Sequence, residues 1–108
     1  MTVNELSKAL GCTVLCMPDG ERKVTGGYCG DLLSWVMGRA ESGDAWVTIM
    51  SNINIIAVAT LADPACIVLA EDVELDADVL AKAEREGVNV LSSVLDSFAL
   101  CAKISELI

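Results

Sequence analysis

Residues 65–70, Ala-Cys-Ile-Val-Leu-Ala, carry no polar side chain and are bracketed by Asp63-Pro64 and Glu71-Asp72. A continuous apolar run of this length between turn formers is the pattern of a strand buried on both faces, as in a parallel sheet. That pattern constrains everything around it. Parallel neighbours need crossover connections, usually helices, and both faces of the sheet need a covering layer.

The flanking sequence supplies both. Thr2 and Glu5 form a capping box, Val3, Leu6 and Leu10 share a stripe, and Gly11 ends a helix predicted over about Val3 to Leu10. Cys12 to Met17 is predicted as a strand stopped by Pro18-Asp19-Gly20. Glu21 to Val24 fits a short strand or a loop. Thr25 to Met37 is a glycine-rich turn feeding a helix from Asp31 to Ala40, with Leu32, Leu33, Val36, Met37 and Ala40 inward and Trp35 off the stripe. Gly30, Ser34 and Gly38 recur every four residues, a ridge of small side chains on which a second helix could pack closely.

A strand follows over Ala45 to Met50, and then, with Ser51 to Asn54 as its cap, a helix from Ile53 to Leu61 without a charged residue. A helix apolar all round must be covered on more than one side, and a chain of 108 residues has few layers to spare. The leading expectation is therefore a homodimer in which a twofold mate covers Ile55, Ile56, Val58 and Ala59, with Trp35 and Gly38 beside them; the alternative is a helix tucked wholly between the sheet and its own neighbours. Beyond the Ala65 to Ala70 strand, Asp76 is the expected N-cap of a helix stopped by Gly87, with Leu75 and Leu80 as its hydrophobic staple and Val79 and Ala83 inward. Val88 to Leu91 is the last strand. Ser92-Ser93 is read as the cap of a closing helix from Val94 to Leu107 with Leu95, Phe98, Ala99 and Ala102 inward. The prediction is one α/β domain over residues 1–108: a three-layer α/β/α arrangement with a mostly parallel sheet of four or five strands.

Composition narrows the chemistry. Sixteen acidic against 7 basic residues give a formal charge of -9, which opposes phosphodiester backbones and anionic membrane surfaces, so neither nucleic acid nor a membrane is an expected partner. The chain has no histidine, which removes a Ser-His-Asp or Cys-His triad and any His-containing zinc site. No signal-peptide pattern opens the sequence, no apolar run approaches the roughly 20 residues of a membrane span, and the 5 cysteines are odd in number without a CxxC pair. A cytoplasmic protein with reduced thiols is expected. Cys12 and Cys16, at even spacing in one strand, are expected as buried packing on one face, too far apart at about 13 Å to bond each other.

Ligands of parallel sheets gather beyond the carboxyl ends of the strands. The candidate binding residues are accordingly Thr25, Gly26, Gly27, Cys29, Ser51, Asn52, Asn54, Ser92 and Ser93, with Glu71 and Asp72 on the same edge. Gly26 to Asp31 is neither a dinucleotide fingerprint nor a P-loop, and no lysine opens the following helix. Asp31 places a carboxylate where a helix would attract a ligand anion. No cofactor or resident metal is therefore expected, although an adenine nucleotide held through its base, or with a divalent cation shared by Asp31, Glu71 and Asp72, fits the same residues. Cys29 near a helix start could be a reactive thiol.

The segments Thr25-Gly26-Gly27-Tyr28-Cys29-Gly30-Asp31-Leu32-Leu33-Ser34, Val36-Met37-Gly38-Arg39-Ala40, Gly43-Asp44-Ala45-Trp46-Val47-Thr48-Ile49 and Asn54-Ile55-Ile56-Ala57-Val58-Ala59 resemble the DRTGG domain family, along essentially the whole chain. More narrowly, the chain is similar to stand-alone members found alongside iron hydrogenases in anaerobic bacteria, and to the N-terminal domain of HPr kinase/phosphorylase. The resemblance implies an α/β/α regulatory domain, elsewhere coupled to CBS domains or appended to phosphotransacetylase and inorganic pyrophosphatases, and here a hydrogenase-related protein partner. It implies no defined activity. Lys23 and Val24 stand at the Asp and Arg positions of the name-giving motif, and Thr25, Gly26 and Gly27 match it. A non-catalytic, small-ligand-sensing or protein-interaction module is the leading expectation; a small thiol-dependent or kinase-related enzyme is the alternative.

Overall fold

A computed structural model describes residues 1–108. Ten elements follow in the order α1 (Val3–Leu10), β1 (Thr13–Cys16), β2 (Gly26–Cys29), α2 (Leu33–Arg39), β3 (Asp44–Thr48), α3 (Asn54–Ala62), β4 (Cys66–Leu69), α4 (Ala77–Glu86), β5 (Val90–Ser92) and α5 (Ser97–Leu107). They build one five-stranded sheet in the order β1-β5-β4-β3-β2. β2 to β5 are parallel, and β1 is antiparallel to β5.

The layering follows from the strand order. From β2 to β5 each crossover advances one strand in the same direction, and crossovers of one hand then put their helices on one face. Accordingly Val36 of α2, Ile55, Ile56, Val58 and Ala59 of α3, and Val79 and Ala83 of α4 pack with Trp46, Ile67, Leu69 and Val90. The other face is left to the ends of the chain: Val3, Leu6 and Leu10 of α1 and Leu100 and Ile104 of α5 cover Ala45, Val47, Cys66, Val68 and Leu91. β4 is buried at every residue, as its apolar run requires.

Local chemistry fixes the helix ends. Thr2 Oγ1 accepts the Glu5 amide at 3.2 Å while the Thr2 amide donates to Glu5 Oε1 at 2.8 Å, and Gly11 closes α1 in the left-handed conformation. Gly87 closes α4 in the same way, although the Asp76 side chain makes no capping bond.

Six expectations need correction. Gly26–Cys29 is a strand rather than a turn, because its backbone pairs with Asp44 to Val47 of β3. The following helix begins at Leu33, so Gly30 lies outside it and the small-residue ridge does not form; nothing approaches Gly38. On α2 only Val36 is buried, while Leu32 and Met37 are exposed. Cys12 and Cys16 face opposite layers, because the pairing of β1 with β5 slips between Val14 and Cys16 and the extra residue reverses the alternation. The closing helix starts at Ser97, where Asp96 Oδ1 accepts the Ala99 amide at 2.8 Å. That later start turns Leu100 and Ile104 inward and leaves Phe98 86% exposed.

The sixth correction concerns α3. Ile55, Ile56, Val58 and Ala59 are all buried within this one chain, because α3 lies between α2 and α4 against the sheet. They need no second subunit to cover them. The outer side of the helix carries Ala57, Thr60 and Leu61 instead.

Candidate functional site

The predicted binding residues do not converge. Thr25 and Gly26 sit at the amino end of β2, where the Thr25 amide donates to the Gly43 carbonyl at 3.0 Å and Gly26 pairs with Asp44. Ser51, Asn52 and Asn54 lie at the opposite edge, beyond β3, exposed and engaged with each other: Asn52 Oδ1 accepts the Asn54 amide at 2.9 Å. Ser92 and Ser93 share that edge but are buried, with Ser93 Oγ accepting the Leu95 amide at 3.1 Å. Ligand crevices at the carboxyl edge arise where strand order reverses, and β2 to β5 progress without reversal.

Asp31 is occupied too. Its Oδ1 accepts the Thr48 hydroxyl at 2.8 Å and the Ile49 amide at 3.0 Å, tying the end of β2 to the end of β3. Asp31, Glu71 and Asp72 do not come together as a ligand set. Glu71 and Asp72 instead hold left-handed backbone conformations, φ 61° and 57°, with their amides donating to the Leu95 and Ser93 carbonyls.

The concavity that could hold a ligand lies on the α1/α5 face of the sheet, between β2 and the last turns of α5. It has a volume of about 450 Å³. Gly27, Ala45 and Val47 form its floor, and Cys101, Ile104, Ser105 and Ile108, at helical spacings of three and four, form its wall. Strand alternation puts Cys29 on the same face as Gly27, at the rim. The floor is low because its side chains are small. A methyl group at Gly27 would stand 3.7 Å from the Ala45 carbonyl and 4.0 Å from Ile104 and Ile108, an ordinary contact that would take up groove space.

No charged side chain lines this groove. Its polar groups are the Ser105 hydroxyl, two thiols and the backbone of an edge strand. Burial first, and then the neighbouring Cys29 thiol, push the Cys101 thiol up to about 11. Such a surface suits a flat or aliphatic group and offers nothing to a phosphate.

A second, polar concavity of about 210 Å³ lies at the amino edge, between Arg22, Asp63 and Asn89. Its one cation is already committed. Arg22 grips Asp63 through Nη1 at 2.9 Å and Nη2 at 3.0 Å, Ser42 Oγ donates to the same carboxylate at 2.6 Å, and the Asp63 carboxyl is held below its ordinary value by Arg22 first and Ser42 second. Asn89 is likewise saturated, donating to the Asp19 and Ala65 carbonyls and accepting the Asp19 amide.

Comparison with known families matches residues 5–107 to the DRTGG domain. The chain belongs to the DRTGG domain family. Among solved structures it is similar to the CBS and DRTGG domains of the regulatory region of Clostridium perfringens pyrophosphatase, a structure complexed with the activator diadenosine tetraphosphate. The TM-score is 0.77 at 10% identity, over 95% of this chain and 45% of the other. The chain thus spans under half of the regulatory region it matches, and the likeness is one of fold. Comparison with curated protein sequences gave no match.

In this DRTGG domain the motif residues do structural work at the amino edge. The Thr25 side chain fills the space beside Gly43, whose φ of +90° already favours glycine. Gly26 lets β3 approach, since a methyl group there would stand 2.7 Å from Asp44 Oδ1, and the other oxygen of that carboxylate accepts the Glu41 amide at 2.8 Å. Gly27 alone faces the groove. Lys23 and Val24, in place of the motif's Asp and Arg, lie against α1, with an isolated bridge between Lys23 and Thr2 and Val24 buried in the core. The groove escaped the sequence reading because its two walls come from opposite ends of the chain. The single available signal was the spacing of Cys101, Ile104, Ser105 and Ile108.

Proposed function

We propose that this DRTGG domain is a non-catalytic regulatory module that senses a small molecule in the groove between β2 and α5. One observation carries the reading: a concavity of about 450 Å³, apolar on floor and wall with a few polar groups at its rim, has the size and character of a small-ligand site. The absence of cationic side chains there favours a ligand held by a ring rather than by its phosphates. An adenine nucleotide bound through its base is the form we propose, with the phosphates projecting into solvent. The regulatory role and the nucleotide are supported by the kinship with a regulatory region solved with a diadenosine activator.

We propose, in addition, a homodimer and a protein partner. A homodimer would use the exposed apolar residues Leu32 and Trp35 of the α2 end and Ile49 and Ile53 before α3, rather than the buried residues of α3. A hydrogenase-related protein in the cytoplasm is the partner suggested by the resemblance to stand-alone relatives. No helix is long and apolar enough to cross a membrane.

The test is thermal unfolding with adenosine, AMP, ATP and diadenosine tetraphosphate, on wild type and on Gly27→Val. A ligand at 100 times its Kd adds about 2.7 kcal/mol of stability. The expected result is a shift with adenine ligands that does not require a triphosphate and that Gly27→Val abolishes. No shift with any of them, or an equal shift in Gly27→Val, would overturn the assignment.

A further inference from the structure

Of the five cysteines, two line the groove. Cys29 ends β2 on the face that carries Gly27, and its side chain is exposed; Cys101 lies on the groove-facing stripe of α5 and is half-buried. Ile104 and Ile108 come within 4.0 Å of the Gly27 position, and Cys101, one turn before Ile104 on the same stripe, faces the strand two residues further on, where Cys29 stands across the same groove. They belong to segments that share only side-chain packing, since β2 is an edge strand paired with β3 alone and α5 merely lies across it. The other three cysteines are placed differently. Cys16 is buried on the opposite face with its thiol donating to Glu84 at 3.1 Å, and Cys66 is enclosed in the core beside the half-buried Cys12.

We propose that Cys29 and Cys101 form a reversible disulfide that clamps the free edge of the sheet to α5 and closes the rim of the groove. The oxidant is a low-molecular-weight disulfide of the glutathione type. The exposed Cys29, as its thiolate, attacks one sulfur of that disulfide; the S–S bond breaks, one small thiolate leaves, and Cys29 carries a mixed disulfide. Cys101 then gives its proton to solvent, and its thiolate attacks the Cys29 sulfur, forming the internal S–S bond and expelling the second small thiol. Two protein thiols are oxidised and one small disulfide is reduced to two thiols.

The order of events follows from the surroundings. An incoming disulfide reaches the exposed Cys29 from solvent, whereas Cys101 is half-buried in the groove wall. Once Cys29 carries the mixed disulfide, Cys101 is the remaining free thiol of the groove and faces it from α5.

Formation of the bond rests on the groove geometry alone. Its consequence, exclusion of the ligand, rests on the function proposed above. The experiment separates them. Native protein is equilibrated with mixtures of reduced and oxidised glutathione, acid-quenched, alkylated and mapped by mass spectrometry, and the same samples are then tested for the adenine-ligand thermal shift. The expected outcome is a Cys29–Cys101 bridge with Cys12, Cys16 and Cys66 alkylated only after denaturation. Cys101→Ser should hold a single glutathione on Cys29, and Cys29→Ser should acquire none. A bridge between any other pair, or a Cys29 adduct that persists in the wild type without closing, would overturn the proposal. A bridge that forms while no reduced sample responds to a ligand would sustain the disulfide and remove the ligand reading.

Discussion

Removing the Asp31 carboxylate should destabilise the domain more than the exposure of that residue suggests. Asp31 Oδ1 accepts two hydrogen bonds, from Thr48 Oγ1 at 2.8 Å and from the Ile49 amide at 3.0 Å. Thr48 is fully buried, so in Asp31→Ala its hydroxyl loses its acceptor, and stranding a buried donor costs about 1–3 kcal/mol. The Ile49 amide is exposed and water satisfies it, adding about 0.5 kcal/mol. The expected loss is therefore about 2 kcal/mol, a fall in melting temperature on the order of 8–16 °C. Asp31→Asn keeps an oxygen acceptor in the same place and should lose under about 1 kcal/mol. Urea unfolding of the three proteins, with unchanged slopes, measures both differences. Were Asp31 instead acting by its charge on the start of α2, Ala and Asn would cost the same, about 0.3–1 kcal/mol. Equal losses in the two variants, or an Asp31→Ala protein within about 0.5 kcal/mol of wild type, would refute the hydrogen-bond account.

Alkaline conditions should weaken the fold through its enclosed thiols. Burial pushes Cys66 up from 9.0 to about 12, so its folded value lies above the unfolded one; this contribution is complete below pH 9 and disappears as pH rises towards 12. Cys66 accounts for about 1.4 kcal/mol per pH unit in that window, and Cys66→Ala should flatten the measured dependence of unfolding free energy on pH by that amount. An unchanged slope would show that the thiol ionises equally well in the native state. Gly43→Ala should cost about 2–4 kcal/mol, because a φ of +90° is strained for alanine and its methyl group would collide with the Thr25 side chain. Thr25→Ala in the same protein should recover the collision but not the backbone strain, and chemical denaturation of the double-mutant cycle separates the two.

What the sequence disclosed and what it withheld divide by the range of the interactions involved. α1 was legible to its ends because a capping box and a left-handed glycine are local devices, and β4 because six consecutive apolar residues leave a short segment few other places. β2 was not, since Gly26–Cys29 has almost no strand propensity of its own and is extended because β3 pairs with it. α5 was misplaced because Ser92-Ser93 was read as its cap. Ser92 instead ends β5, and the Asp96 carboxylate takes the Ala99 amide, which turns Leu100 and Ile104 inward. The apolar character of α3 pointed to a second subunit because a count of layers cannot show that α2 and α4 flank the helix on one face. The groove was the least legible feature, since it requires the topology that leaves the two chain ends to cover the second face.

That same topology explains why the glycines of the motif divide their labour. Crossovers running in one direction leave β2 at the edge, held by β3 on one side and by the end of α5 from above. At the amino end of β2, Thr25 and Gly26 fit closely against Gly43 and Asp44, so the strand is anchored there. One residue later, Gly27 leaves the floor open, and Cys29 and Gly30 then carry the strand to its second anchor, where the Gly30 carbonyl accepts the Trp46 indole at 2.9 Å. The span between the anchors has backbone partners on one side and a cavity on its α5 face. A molecule in the groove, or a bond from Cys29 to Cys101, would supply contacts that this span lacks, and would do so without disturbing either anchor. Hydrogen exchange should therefore slow between Gly27 and Cys29 and in the last turns of α5 when the groove is filled, while the amides of β4 stay as they were.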